Sequence, residues 1–165
     1  MVALEVELHA IPVHLYTTET FLAGTLHTIH QRLSDAVNAD APEIELRDAL
    51  IISLADRSLR WRRRRAIVLK RNVVFLSDRP TGTYRPSRPE MTVERERQTI
   101  LVGCAGFLID GAVHLPPGGS LSARLTAATE GFIPITDARV SAPWLGSFDE
   151  HAVLVNVRHI VYVAV

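Results

Sequence analysis

Phe21-Leu-Ala-Gly-Thr-Leu-His27 and Leu108-Ile-Asp-Gly-Ala-Val-His114 carry one pattern, with Gly24 over Gly111 and His27 over His114. Working outward at the same spacing, Pro12-Val-His-Leu15 falls on Thr99-Ile-Leu-Val102. After single-residue slips, Leu33-Ser-Asp-Ala-Val37 meets Leu121-Ser-Ala-Arg-Leu125, and Ile44-Glu-Leu-Arg-Asp-Ala49 meets Ile133-Pro-Ile-Thr-Asp-Ala138. Past a shorter loop, Ala66-Ile-Val-Leu69 lies over Ala152-Val-Leu-Val155 and Val74-Phe-Leu76 over Ile160-Val-Tyr162. Matching blocks in one order with small gaps predict the same unit twice, in residues 11–77 and 98–164.

Each unit reads as mostly strand. Val13, Leu15 and Phe21 to Leu26 are apolar or β-branched runs broken by Thr17-Thr-Glu-Thr20, which predicts a hairpin. Gly24 and Gly111 fall inside the second strand, where glycine marks a bulge, a bend or a close backbone approach. Leu33, Ala36 and Val37, and in the second copy Leu121, Leu125 and Ala128, have helical spacing and predict a helix of about two to three turns. Ser120, after Pro116-Pro-Gly-Gly119, is its N-cap. A third strand is expected over Glu43–Ser53 and Phe132–Ser141, with Asp48 and Asp137 holding backbone donors at a strand-end turn. A closing pair then follows around Ile67–Leu69 and Val73–Leu76, and around Val153–Val155 and His159–Val163. Five strands and one helix of this size close a small barrel.

The strict alternation of Val2-Ala-Leu-Glu-Val-Glu-Leu-His9 predicts an additional first strand. Asp78-Arg-Pro-Thr-Gly-Thr-Tyr-Arg-Pro-Ser-Arg-Pro89 reads as a linker. The expected domains are therefore residues 1–78, a linker at 79–90, and residues 91–165. The chain has 165 residues and is 47% hydrophobic, enough for a packed core. Its apolar runs fall short of the roughly 20 residues of a membrane span, and the acidic start does not read as a signal peptide, so a cytoplasmic protein is expected. One cysteine, Cys104, excludes an internal disulfide. Net charge is zero, but residues 1–88 hold 13 Lys/Arg against 10 Asp/Glu while residues 89–165 hold 5 against 8, giving halves of +3 and −3. That asymmetry favours docking of one half on the other, or of one chain on the next.

A strand bent at Gly24, a strand ending near Asp48, and Ala66-Ile-Val-Leu-Lys-Arg-Asn-Val-Val-Phe-Leu76 with its short closing turn together resemble the Sm-like small β-barrel, an SH3-like architecture. The chain also resembles an uncharacterised bacterial family in which a glycine strand precedes Arg-Leu-Ser-Asp-x-x-Asn, here Arg32-Leu-Ser-Asp-Ala-Val-Asn38. The resemblance implies two tandem small barrels. Sm-like proteins place their helix before the first strand, whereas here it is inserted between the second and third. The aspartate and asparagine that the family sets beside RNA bases have no counterpart at the required loop, so its RNA site is not carried over.

The sharpest local chemistry is Arg57-Ser-Leu-Arg-Trp-Arg-Arg-Arg-Arg65, read as a loop. Arg57, Arg60, Arg62, Arg63, Arg64 and Arg65 offer forks for phosphate, and Trp61 offers a face for a base. Trp144 of Ala142-Pro-Trp-Leu-Gly-Ser-Phe-Asp-Glu150 is expected in the corresponding loop without the charge, which favours packing for the indoles and protein contact for the arginines. His14, His27, His30 and His114 lack the helical spacing of a zinc site, and neither metal nor cofactor is expected. Ser34 and Ser122 lie outside any nucleophile elbow. The function expected is a non-catalytic protein-interaction or assembly module that self-associates, since barrels of this kind leave edge strands and Ile160-Val-Tyr-Val-Ala-Val165 is an apolar strand to cover. The alternative is RNA or single-stranded nucleic-acid binding through Arg57–Arg65.

Overall fold

A computed structural model describes residues 6–79, 95–128 and 131–165. The first half runs β1 (His9–Tyr16), β2 (Thr20–Thr28), α1 (Leu33–Val37), β3 (Glu43–Ser53), β4 (Arg60–Leu69), a 3₁₀ turn (Lys70–Asn72) and β5 (Phe75–Asp78). The second runs β6 (Glu96–Cys104), β7 (Phe107–Leu115), α2 (Leu121–Ala127), β8 (Phe132–Ala142), β9 (Gly146–Asn156), a 3₁₀ turn (Val157–His159) and β10 (Ile160–Ala164). Both halves thus follow one element order, with the helix between second and third strands.

Local chemistry accounts for the elements. Ile11, Val13 and Leu15 alternate into the core from β1, and Thr17 closes the first hairpin by accepting from the N–H of Thr20 at 3.0 Å. The Ser120 hydroxyl accepts from the N–H of Ala123 and caps α2 as expected. At five residues α1 is shorter than the spacing suggested, while the seven of α2 make about two turns, as expected. Of the strand expected over Val2–His9, residues 2–5 lie outside the described residues, while Val6, Glu7 and Leu8 are exposed and outside any strand. His9 faces Thr28, the last residue of β2, where the β1–β2 ladder ends. Of the linker, only Arg79 lies within the described residues, and its N–H extends the ladder to the carbonyl of Pro12.

The described strands form one antiparallel sheet in the order β10-β6-β7-β8-β9-β5-β1-β2-β3-β4. In each half the fifth strand returns to pair with the first. The ladder does not close within either half; it passes from β5 to β9, where Phe75 faces Val155 and Leu76 faces Leu154. What stands is a mainly β fold with one open ten-stranded sheet, in place of two self-contained closed barrels. β4 and β10 are its outer strands.

The bends recur at matched points. The β2–β3 register shifts between Ala23 and Thr25, and the β7–β8 register between Asp110 and Ala112. A Cβ on Gly24 would lie 2.9 Å from the carbonyl oxygen of Arg47, and one on Gly111 2.8 Å from that of Thr136, so both glycines let the facing strand close in. The extra residue on that strand is left-handed, Asp48 at φ 51° and Asp137 at φ 48°, a conformation Asp tolerates better than most residues. The aspartates therefore shape mid-strand bulges, where a strand-end turn was expected.

Counting from these anchors corrects the alignment of the closing strands by one residue. Leu46 faces Ala66 and Ile135 faces Val153, so Ala66 corresponds to Val153. Tyr16 faces Phe75 and Gly103 faces Tyr162, so Phe75 corresponds to Tyr162. The ring pair Tyr16–Phe75, stacked at 4.6 Å, becomes a Tyr162 ring lying over Gly103, which has no side chain to obstruct it.

Two apolar cores result, one per half, and each borrows from the other. Phe132 and Leu154 join the first-half core, while Tyr16, Val74 and Phe75 join the second. Full burial of a side chain such as Phe75 contributes about 1.5–3 kcal/mol, so this reciprocal packing holds the halves together.

Candidate functional site

The junction between the halves concentrates the polar chemistry. Buried Asn156 donates its amide to the carbonyls of Lys70 and Val73 at 3.1 and 2.9 Å, and its backbone N–H to Val74 at 2.9 Å. From the other side, Asn38 at the end of α1 accepts from the N–H of Phe132 and donates to its carbonyl, 2.9 and 3.2 Å. One amide thus substitutes for a strand neighbour at the start of β8. Asn38 closes the Arg32–Asn38 stretch, so that motif joins the halves.

Farther along the same strands, Arg79 bridges the buried Glu150 carboxylate and donates from Nε to Nδ1 of His14 at 3.0 Å. Burial and the adjacent guanidinium hold the His14 imidazole down at about 4, so it serves as a neutral acceptor. Burial raises Glu150 above its ordinary value despite the opposing pull of Arg79. Burial likewise raises the Tyr16 phenol, whose ring lies 5.9 Å from that of Phe148. His14 and Tyr16 of β1, Arg79 after β5 and Glu150 of β9 come from three segments and meet because β5 lies between β1 and β9. No single segment announces the cluster.

The arginine segment is a strand for most of its length, a correction to the loop reading. Arg60–Arg65 form β4 and face β3, Arg62 opposite Leu50 and Arg65 opposite Arg47. Residues 60–65 are exposed on both faces of the strand, so neither face selects apolar side chains and the alternation is lost. Arg65 pairs with Glu45 at 2.9 Å, Arg63 donates to the carbonyl of Arg62, and Arg60 to that of Arg57. Arg57, in the β3–β4 connection, reaches across to donate to the Trp144 carbonyl at 2.5 Å. Arg62 and Arg64 are exposed. The two tryptophans are not equivalent: Trp61 is an exposed β4 residue, whereas Trp144 sits in the β8–β9 turn with its ring edge-on to Phe107.

Of the histidines, His114 meets the Thr136 hydroxyl at 2.9 Å and His27 is exposed. Among the described residues no three His, Cys, Asp or Glu converge as a metal site would require. The Cys104 thiol is buried and pushed up to about 12, which leaves it without thiolate character. Asp137 sits 3.3 Å from Arg97 on the surface. Among the described residues, no helix is long and apolar enough to cross a membrane.

The outer strands present what the junction covers. At the junction Phe75 and Leu76 of β5 and Val153, Leu154 and Val155 of β9 are buried. On β10, Tyr162 keeps 48% of its surface and Val161 77%; on β4, Ile67 keeps 53%. The comparisons with known proteins found no matching family model, no matching curated protein and no matching solved structure.

Proposed function

We propose that the protein is a non-catalytic assembly module of two tandem small-barrel units, which joins further copies head to tail by pairing β10 of one copy with β4 of the next. The observation that carries this reading is the β5–β9 junction. It unites the fifth strand of one half with the fourth strand of the other, and β10 and β4 are the corresponding strands that have no further neighbour among the described residues. Transferring the register places Tyr162 opposite Val68 and Val163 opposite Ile67 of the next copy. Such strand addition supplies backbone hydrogen bonds and covers alternate apolar side chains.

Edge chemistry supports the same direction of joining. The Arg60–Arg65 portion of β4 is too charged to pair indiscriminately, which confines docking to the apolar stretch Ala66–Leu69. The +3 first half of one copy would meet the −3 second half of its neighbour. Because the two surfaces differ, the contact is heterologous and makes a ring if the rotation closes or a filament if it does not.

Leu69→Pro tests it. The N–H of Lys70 donates to the Pro42 carbonyl, so ladder alternation turns the N–H of Leu69 outward, like that of Asn156, which crosses the junction. Leu69 has φ −72° and ψ 125°, which proline adopts without strain. Light scattering behind a sizing column is expected to give multiples of the 18.3 kDa chain for the wild type and a folded single chain for the variant. A wild type that stays monomeric at high concentration, or a variant of unchanged mass, would overturn the reading. The alternative, nucleic-acid binding through Arg57–Arg65, rests on the exposed Trp61, Arg62 and Arg64 and calls for co-purified nucleic acid that strips off at high salt.

A further inference from the structure

A cleft of about 870 Å³ opens on the face where the two 3₁₀ turns meet, between the ends of α1 and α2. Among the described residues its lining carries Lys70, Arg71, Arg124 and Arg158 against one carboxylate, Asp40. None of the four cations forms an ion pair among the described residues. Nε of Arg124 is buried and has no hydrogen-bond partner, the only such side-chain nitrogen or oxygen among the described residues. A buried donor without an acceptor is costly, and a small shift of the Arg124 side chain toward an anion in the cleft would relieve it.

The walls are held in place before any ligand arrives. Asn38 clasps Phe132 from both sides, Asn156 holds the Lys70 and Val73 carbonyls, and His159 meets the Arg71 carbonyl at 2.7 Å, so the two turns are fastened to each other. Lys70 reaches over the cleft to the Ala39 carbonyl at 2.6 Å, and its desolvation lowers its pKa, a cost that an anion would relieve.

We infer that this cleft binds a small ligand carrying two or more phosphates. Two features select phosphate: three arginines and a lysine line one cleft, and among the described residues they exceed the lining carboxylates by three charges, more than a single carboxylate ligand would match. The volume suits a nucleotide-sized molecule. The arginines of β4 are not part of this lining.

Calorimetric titration of the full chain with inorganic pyrophosphate, ADP and adenosine tests the inference. One saturable pyrophosphate site per chain is expected. Arg124→Gln and Arg158→Gln should each weaken it about tenfold, the scale of one lost charge-assisted contact, while Arg62→Gln/Arg64→Gln leaves it unchanged. Pyrophosphate binding as tightly as ADP identifies a free polyphosphate as the source; tighter ADP identifies a nucleotide. Arg158 is exposed, so its variant remains folded and informative if Arg124→Gln is not. Absence of saturable heat, tight binding of adenosine, or equal losses in the β4 double variant would overturn the inference. Ile67→Glu, at an exposed β4 position outside the cleft lining, should break the proposed joint and bind pyrophosphate like the wild type, which separates failure of this site from failure of the assembly reading.

Discussion

The β5–β9 junction and the outer strands β4 and β10 are built from corresponding elements, yet they differ in what secures them. At the junction Phe75 is 1% exposed; its counterpart Tyr162 keeps 48%. The junction also has Asn156 with its three hydrogen bonds and the Arg79–Glu150 pair, whereas the counterparts of Asn156 and Glu150 on β4 are Leu69 and Arg63. Apolar strand faces recur in both places, while the polar clasp is confined to the junction. A joint between copies would therefore rest on backbone pairing and apolar contact alone, and should be weaker and sensitive to dilution.

The largest effect that sharpens this contrast is on stability. Phe75→Ala should lower the unfolding free energy by about 3–5 kcal/mol, and Tyr162→Ala in the dilute single chain by about 1 kcal/mol or less, read from urea denaturation. Equal losses would mean that β10 is as well packed as β5 and would break the comparison. Next comes the clasp. Asn156→Ala leaves the Lys70 and Val73 carbonyls without their side-chain partner and should cost about 1–3 kcal/mol, while Leu69→Ala at the corresponding position should stay within roughly 0.5–1 kcal/mol.

The smallest effect is a pH dependence. His14 is held at about 4 in the fold against 6.5 when unfolded, so between those values the unfolded chain binds more protons and stability falls as pH falls. Glu150, raised in the fold, binds its proton earlier in the native state and slopes the other way above its ordinary 4.5. His14→Gln should remove the first slope and keep the second, so thermal melts from pH 7 to 4 should show the wild type losing stability relative to the variant. Parallel melting curves would show that His14 titrates alike in both states.

Much of the strand order was legible because glycine and aspartate do specific work. Gly24 and Gly111 with Asp48 and Asp137 mark the bulges, and Glu43–Ser53 alternates cleanly enough to be bounded to the residue. The Arg60–Arg65 strand was not, since a solvated edge strand carries no period-two signal. Nor was the one-residue slip in the closing strands, where every candidate register sets one aliphatic residue over another. The exchange of bulk between Tyr16–Phe75 and Gly103–Tyr162 conceals the equivalence further. The junction cluster and the basic cleft were illegible for a different reason. His14 and Arg79 are 65 positions apart, Arg79 and Glu150 71, and Lys70 and Asn156 86, brought together because β5 has β1 on one side and β9 on the other.

That meeting is narrow. β5 and β9 share two register pairs, whereas β1 and β2 share eight and β6 and β7 nine. The load between the halves is therefore carried by the shared cores and the polar clasp, and a pull that opened this waist would strip Phe75 from one core and Phe132 and Leu154 from the other in a single step.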